Sequence, residues 1–403
     1  MSATEAAAPA PGSFTAWRRS LQERVTQGDV GMLPVILGLV LIWAVFQFLN
    51  PNFLSPRNLS NLLVQIADIG TIAVGIVLVL LLGEIDLSVG SVSGLAASVM
   101  AVLNLKRGVP APVAIAAGIA TGAVIGLIQG SWFARFRIPS FVVTLAGLLG
   151  WLGVQLLVLG ETGTLNLLNP QIVNLAGNYL SPQAGWALAV VVILVLIVDA
   201  IIVRRRRAAA GLDVAPLASL AARLVITAIL VLGTAFMLNS YLGVPEGLLI
   251  LLGFVVVFDL ITKRTTFGRH IYAVGGNAEA ARRAGISVNT IRVAVFTLAG
   301  TMAACGGILA ASRLLAVNQS SGGGDTLLNS IAAAVIGGTS LFGGRGTVWS
   351  AVAGALVIGS ITNGMDLLAY SSYIKYMVTG AVLLVAVTID AVARQGRQAA
   401  GRA

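Results

Sequence analysis

Charged residues are scarce in this 403-residue chain, making up 10% of it against 57% hydrophobic residues, and the mean hydropathy is +0.95. An ordinary globular domain carries about 25% charged residues, so the composition excludes an ordinary soluble protein. The apolar runs are continuous and lack the alternation of a transmembrane strand. Because a backbone in lipid must satisfy its own hydrogen bonds, we expect an all-α polytopic membrane protein.

Reactive side chains are equally few. Cys305 is the single cysteine and His270 the single histidine. This excludes an intrachain disulfide and a Cys or His metal site, and with it an intramembrane zinc protease; it also argues against a histidine-dependent serine hydrolase. We expect Cys305 to serve packing and His270 to be a solvated loop residue. The chain also lacks G-x-x-x-x-G-K-[ST], so it cannot hydrolyse ATP by that route. No cofactor, metal or catalytic residue is expected.

Twelve apolar runs approach the roughly 20 residues that a membrane span needs. They lie near residues 33–49, 62–82, 87–105, 111–131, 138–160, 185–203, 224–242, 246–262, 293–312, 326–342, 347–365 and 372–389. We expect roughly 10 to 12 transmembrane helices, some broken or re-entrant, in one domain over residues 32–392. A disordered cytoplasmic leader at 1–31 and a cytoplasmic tail at 393–403 are expected to flank this domain.

The net charge of +10 would suit a nucleic-acid partner, but the positions of the basic residues favour another explanation. Most of them fall in alternate loops, for example Arg135, the run from Arg204 to Arg207, and Lys263. Loops rich in Lys and Arg face the cytoplasm. We therefore predict that both termini are cytoplasmic and that the surface meets lipid, with no nucleic acid. Lys106 and Arg107 do not fit this pattern.

A polar, basic loop at residues 263–290 separates two groups of apolar runs. Within it, Glu279, Ala280 and Ala281, followed by Gly285, predict a two-turn helix. Asn277 is suited to cap the first turn, and Gly285 is suited to end the helix in the left-handed region. A short helix on a cytoplasmic loop offers a soluble partner a surface to grip.

Six polar residues in or beside the apolar runs are candidates for a substrate path: Asn61, Gln65, Asp68, Glu84, Asp86 and Ser88. The first three share one helical face, and such groups in a membrane need water or a partner. Helix-to-helix hydrogen bonding explains Asp68 equally well. Around Asp86, a helix is expected to end near Gly83 and another to begin at Leu87 with Asp86 as its N-cap. A broken helix that lines the path is compatible with this.

Glycines recur every four residues at Gly118, Gly122, Gly126 and Gly130. They form one flat helix face, which favours close packing against another helix of the same chain over a subunit interface. A second glycine cluster, at residues 337–346, predicts a tight turn or a re-entrant bend.

Four segments together resemble the permease subunits of bacterial ABC importers for monosaccharides, the ribose, arabinose, galactose and xylose group. They are G-E-I-D-L-S-V-G-S from Gly83, I-P-S-F-V-V-T-L-A-G from Ile138, T-T-F-G-R-H-I-Y-A-V-G-G-N-A-E-A-A-R-R-A-G-I from Thr265, and V-I-G-G-T-S-L-F-G-G-R-G from Val335. The two additional apolar runs within residues 184–247 resemble the xylose-type branch.

The resemblance implies a permease in a bacterial cell membrane that imports a monosaccharide, with xylose as the subgroup inference. Glu279, Ala280, Ala281 and Gly285 match the coupling-helix motif that docks into the ATPase subunit. The implied partners are an ATPase with two nucleotide-binding domains, an extracytoplasmic sugar-binding protein and a second permease copy. The alternative is a secondary sugar transporter driven by an ion gradient, using Asp68, Glu84 or Asp86. A membrane enzyme ranks third.

Overall fold

The computed structural model describes residues 33–161, 163–214 and 216–399. The leader predicted at 1–31 and residues 400–403 of the predicted tail lie outside this range. The described chain is almost entirely helical, which confirms an all-α polytopic membrane protein. Its helices are α1 (Leu33–Leu49), α2 (Pro56–Leu81), α3 (Val89–Arg107), α4 (Ala111–Phe136), α5 (Ser140–Leu159), α6 (Pro170–Gly177), α7 (Pro182–Ala209), α8 (Leu217–Asn239), α9 (Glu246–Arg264), α10 (Thr266–Gly276), α11 (Ala278–Arg283), α12 (Val288–Leu314), α13 (Gly324–Ile336), α14 (Trp349–Leu367) and α15 (Ser372–Ala399). Two short strands, β1 (Thr164–Asn166) and β2 (Ala316–Asn318), pair antiparallel.

Each of the twelve predicted spans falls on one helix. Among the described residues, eight of these helices are long and apolar enough to cross a membrane: α2, α3, α4, α5, α7, α8, α12 and α14. Three more are apolar but shorter, namely α1, α13 and the part of α15 at Ser372–Thr388. The remaining one, α9, has 19 residues and carries charged residues at both ends, Glu246 and Arg264 among them. The chain is thus a multi-pass membrane protein.

The glycine face of α4 lies against α12. A Cβ at Gly122 would stand 2.2 Å from the carbonyl oxygen of Gly300, and one at Gly126 would stand 2.2 Å from that of Phe296. Only glycine permits such close backbone contact between the two helices. The predicted packing within one chain is therefore confirmed, and it places α12 in the middle of the bundle, where it also packs on α2 and α3.

Contacts between loops define two ends of the bundle. At one end, the Gly344 N–H donates to the Leu81 carbonyl at 2.9 Å, beside α10 and α11; we call this the α11 end. At the other, the opposite end, Lys106 Nζ donates to the Leu159 carbonyl at 3.0 Å, and the Leu167 N–H donates to the Leu315 carbonyl at 2.8 Å. Successive long helices run alternately between these ends, and Lys106 lies at the end away from α11.

The insertion within residues 184–247 forms a hairpin of the two long helices α7 and α8, which pack on each other and contact the rest of the bundle little. Their apolar side chains, such as Val195 and Leu230, are 60% and 65% exposed. At the α11 end, the Asp199 carboxylate of α7 lies 3.5 Å from Arg264 of α9. Exposed faces this apolar suit contact with lipid.

Candidate functional site

The helix α11 forms as the local sequence predicts. The Asn277 side-chain oxygen accepts the Ala280 N–H at 2.9 Å, which caps the first turn. Gly285, two residues past the end, has φ +84°, a left-handed conformation that costs glycine least. Glu279 in the first turn pairs with Arg282 at 2.6 Å and Arg283 at 3.2 Å. An acidic residue at the start of a helix and basic residues at its end also interact favourably with the helix dipole.

One side of α11 is buried and the other is free. Ala281 is 4% exposed and packs into the main hydrophobic core, whereas Glu279, Ala280 and both arginines are exposed. The Ile286 N–H donates to the Ala281 carbonyl at 3.0 Å, just before α12 begins. This hydrogen bond ties α11 to the residues that lead into α12.

The preceding helix, α10, connects α11 to the end of α2. A Cβ at Gly275 would stand 1.8 Å from the Leu81 carbonyl oxygen, so α10 touches the last turn of α2 directly. The Tyr272 hydroxyl donates to the Gly346 carbonyl at 2.9 Å in the glycine-rich turn. Burial raises the pKa of Tyr272, and the nearby Asp259 carboxylate raises it further. Tyr272 is therefore a hydrogen-bond donor that keeps its proton.

The six predicted path residues do not form one site. Gln65 and Asp68 line a cavity of about 600 Å³ towards the opposite end of the bundle. Glu84 lines a separate pocket at the α11 end, and Asp86 and Ser88 are buried between the two. Asn61 is exposed and is not part of the cavity lining, because it lies nearer the end of α2 than Gln65.

The cavity wall contains an ion pair that the sequence analysis missed. Asp68 Oδ2 accepts hydrogen bonds from Arg313 Nε at 3.1 Å and Nη2 at 3.0 Å. The Asp68 side chain is 5% exposed and that of Arg313 28%. A carboxylate this buried needs such a partner. Asp68 therefore takes part in bonding between helices, as one of the two interpretations of its position expected. Arg313, like Asp68, also lines the cavity.

Polar groups from the loops at the opposite end complete this cavity. Asn318 and Ser320 follow α12, Asp325 opens α13, and Asp366 ends α14. The Tyr376 hydroxyl of α15 donates to Asp325 at 2.8 Å, and Lys375 pairs with Asp366. Hydroxyl, amide and carboxylate groups around a space of this size suit a small polyhydroxylated ligand.

The segment at Asp86 differs from its prediction. The helix begins at Val89 rather than Leu87, and Asp86 Oδ1 accepts the Ser88 N–H at 2.8 Å and the Ser88 hydroxyl at 2.6 Å. Asp86 therefore shapes a turn ahead of the helix and is not its N-cap, because its oxygen bonds two residues onward before the helix has started.

Gln129 of α4 extends this buried chain of polar groups. Its side-chain oxygen is placed 2.9 Å from the Ser88 hydroxyl, whose single proton already goes to Asp86. Among the described residues, Gln129 Nε2 and Trp151 Nε1 are buried without a partner, and both border Gly147. Turning the Gln129 amide presents Nε2 to Ser88 and the oxygen towards Trp151, which satisfies the Ser88 contact.

A second ion pair lies at the α11 end. Arg292 Nη2 donates to Glu84 Oε1 at 2.8 Å, and the side chains are 24% and 15% exposed. The guanidinium also stands 4.9 Å above the ring centre of Phe133. Arg137 and Arg282 join this pair around a pocket of about 670 Å³.

Comparison with known proteins identifies the family. Residues 58–387 match the family described as branched-chain amino acid transport system / permease component. The chain belongs to this permease family. The permease is 38% identical to the xylose transport system permease protein of Haemophilus influenzae over 88% of its own length and 95% of that protein. It is also 38% identical to the Escherichia coli K12 protein of the same description, over 90% and 92%. The ribose import permease protein of Bacillus subtilis is 33% identical over 90% and 94%. No solved structure matches the permease.

These relatives confirm the predicted resemblance to monosaccharide permeases and its xylose-type branch. Within the described residues of the permease, no group of three or more His, Cys, Asp or Glu residues could hold a metal ion. Sequence reasoning missed Arg292, Arg313 and Gln129. Arg313 offered a signal, because it stands close to the end of an apolar run; its partner lies 245 residues away and could not be identified.

Proposed function

We propose that the permease is the membrane-spanning subunit of an ABC importer that moves a monosaccharide, xylose, into a bacterial cell. Sequence identity supports the sugar, because it is higher to the xylose permeases, at 38%, than to a ribose permease, at 33%. The power comes from a separate ATPase subunit with two nucleotide-binding domains. The permease acts as a transport component without an ATPase site of its own.

The observation that carries this proposal is the construction of α11. A short helix with its own N-cap and its exposed residues Glu279 and Ala280 is more than the bundle needs for packing, because only Ala281 is buried. Its tie to α12 through Ile286 lets a partner that grips Asn277, Glu279, Ala280 and Gly285 move a central helix. A secondary transporter has no ATPase subunit for such a helix to contact.

The charges at the two ends of the bundle support the proposed orientation, which is compatible with import. The α11 end carries Arg135, the run Arg204 to Arg207, and Lys263, so it faces the cytoplasm by the positive-inside rule. We expect both termini to lie on that side of the bacterial inner membrane. The cavity beside Asp68 then faces outward, where a sugar-binding protein delivers its cargo. Two copies of the permease, surrounded by lipid, are expected to serve the two nucleotide-binding domains.

The cavity is suited to brief occupation rather than tight binding. Gln65, Asp68 and Arg313 offer hydrogen bonds to sugar hydroxyls, but Asp68 and Arg313 already satisfy each other. Sugar must compete with that ion pair, which weakens its hold. Weak holding favours transport, because the sugar has to leave towards the cytoplasm when the ATPase subunits close.

Proteoliposomes test the proposal. The permease is reconstituted with its ATPase subunit and xylose-binding protein, and uptake of labelled xylose into the vesicles is followed. ATP is supplied on the side of the membrane where the ATPase subunit lies. We expect uptake that requires ATP and persists when ionophores abolish proton and sodium gradients. Uptake that continues without ATP and stops with the ionophores would instead identify a secondary transporter, with Asp68 or Asp86 as its ionisable group.

A further inference from the structure

The non-helical segment Gly83–Ser88 runs from the α11 end, where Gly83 and Ile85 are exposed, into the bundle, where Asp86 and Ser88 are buried. The Ser88 hydroxyl contacts Gln129, which is seven residues before the end of α4 at Phe136. At 1.5 Å per residue, that contact lies about 10 Å in from the α11 end. The chain between α2 and α3 therefore enters the bundle from the α11 end, and its last residues lie between that end and the cavity.

The first turns of α3 carry the floor of the cavity. Ser93 and Gly94, five and six residues after Ser88, line it. A Cβ at Gly94 would stand 2.0 Å from the Ser321 carbonyl oxygen, and one at Gly90 would stand 2.6 Å from that of Gly322. The start of α3 thus presses against the turn that closes the cavity, so a shift of Gly83–Ser88 moves the floor.

A continuous set of contacts joins α11 to this segment. The Ile286 N–H is bonded to the Ala281 carbonyl of α11, and Arg292 follows one turn into α12. Arg292 then bonds Glu84 at 2.8 Å. Other hydrogen bonds of the segment do not reach α12. The Ile85 N–H donates to Ser140 of α5 at 3.2 Å, and the Asp86 carboxylate accepts from Ser88 within the segment. Glu84 is the charged residue of the segment that reaches α12.

We propose that Gly83–Ser88 is the inner seal of the cavity and that the Glu84–Arg292 ion pair is the link through which α11 moves it. This rests on the proposed function, in which an ATPase displaces α11. Displacement of α12 at Arg292 pulls Glu84, draws the start of α3 from the turn at Gly322, and opens the floor towards the α11 end. Glu84 and Arg292 are positioning residues and need not touch sugar.

Transport assays with charge variants test the link. Glu84→Gln and Arg292→Gln are each expected to lower ATP-driven xylose uptake at least tenfold, while the ATPase subunit still co-purifies and ATP hydrolysis still responds to the binding protein. The exchanged pair, Glu84→Arg with Arg292→Glu, should recover at least a third of the uptake. The matched control is Asp199→Asn, which removes the Arg264 contact at the same end and should leave uptake unchanged.

Uptake at the wild-type rate in both single variants would overturn the link. Loss of both uptake and ATPase co-purification would overturn it as well, because the ion pair would then serve to bind the ATPase subunit. If a single variant fails to insert, Arg292→Lys decides the matter, because it keeps the charge and should retain most of the uptake. A link that tolerates neither Lys nor the exchanged pair is refuted.

A labelling experiment tests the seal without any ATPase. Ser93→Cys is introduced with Cys305→Ser, and a membrane-impermeant maleimide is applied from the α11 end. With Glu84 intact, the Ser93→Cys variant should react slowly with the maleimide. Adding Glu84→Gln should raise the rate at least fivefold, and adding Asp199→Asn should not. An unchanged rate with Glu84→Gln overturns the seal. Absence of ATP-driven uptake in the wild type would refute the proposed function and leave this result standing.

Discussion

The ion pair between Asp68 and Arg313 allows a prediction of defined size. Arg313→Met removes the cation and leaves the Asp68 carboxylate buried at 5% exposure. Breaking a fully buried pair costs about 3–5 kcal/mol. Because the Arg313 side chain is 28% exposed, water can replace part of the lost interaction. We therefore expect Arg313→Met to lower the free energy of unfolding by about 2–4 kcal/mol.

Removal of both partners should be far milder. In Asp68→Leu with Arg313→Met no buried charge remains, and replacing a whole buried pair by apolar side chains is close to neutral. We expect the double variant to lie within about 1 kcal/mol of the wild type in stability. It should nevertheless transport xylose poorly, since the cavity has lost two polar groups.

Cys305 supplies the assay. It is the single thiol of the chain and is partly buried against the core in α12, so a thiol-reactive fluorophore reports its exposure on heating in detergent. The Arg313→Met variant should melt about 5 °C below the wild type, and the double variant within about 2 °C of it. The reasoning is refuted if the single variant melts with the wild type, or if the double variant melts as low as the single one.

Three further predictions concern α11 and α4. Asn277→Ala should cost about 1 kcal/mol of local helix stability through loss of the cap, seen as faster hydrogen exchange at the Ala280 amide; unchanged exchange would show that the cap is not needed. Glu279→Arg should leave the permease in the membrane but uncouple ATP hydrolysis from uptake, measured side by side in proteoliposomes; wild-type uptake would contradict the role of α11. Gly126→Ala should destabilise the protein by about 1–3 kcal/mol or more by overpacking, because its Cβ would lie 2.2 Å from a carbonyl oxygen, whereas Gly153→Ala, with nothing within 4 Å, should not. Equal melting of these two glycine variants would show that the α4–α12 contact can relax.

Local features of the chain were predictable because their causes are local. A span in lipid satisfies its backbone within one segment, so each of the twelve apolar runs predicted a helix correctly. The helix α11 needs only Asn277 at its start and Gly285 after its end, and both act within a few residues. The role of the glycine face of α4 was equally predictable, since glycines repeated on one side of a helix allow another helix to pack closely.

The error at Asp86 shows where local rules stop. Asp, Leu and Ser in succession allow a helix to begin at Leu87 or at Val89, and propensity alone favours neither. The turn inside the bundle decides it, because Ser88 meets Gln129, which lies 41 residues further along the chain. Helical spacing grouped Asn61 with Gln65 and Asp68, but the cavity ends between Asn61 and Gln65, so Asn61 does not line it.

The amino-acid sequence by itself determined that this protein crosses the membrane many times, which segments are helical, where a short capped helix stands, and which transporter family it resembles. Hydrophobic length, helix caps and motif order settle these matters over short stretches. Tertiary structure alone decided which charges meet. Asp68 and Arg313 are 245 residues apart and Glu84 and Arg292 are 208 apart, and many arginines could have filled either position. Only the packing of α12 against α2 and the segment that follows α2 selects these two arginines, because a buried carboxylate is stable where the folded chain brings a cation to it.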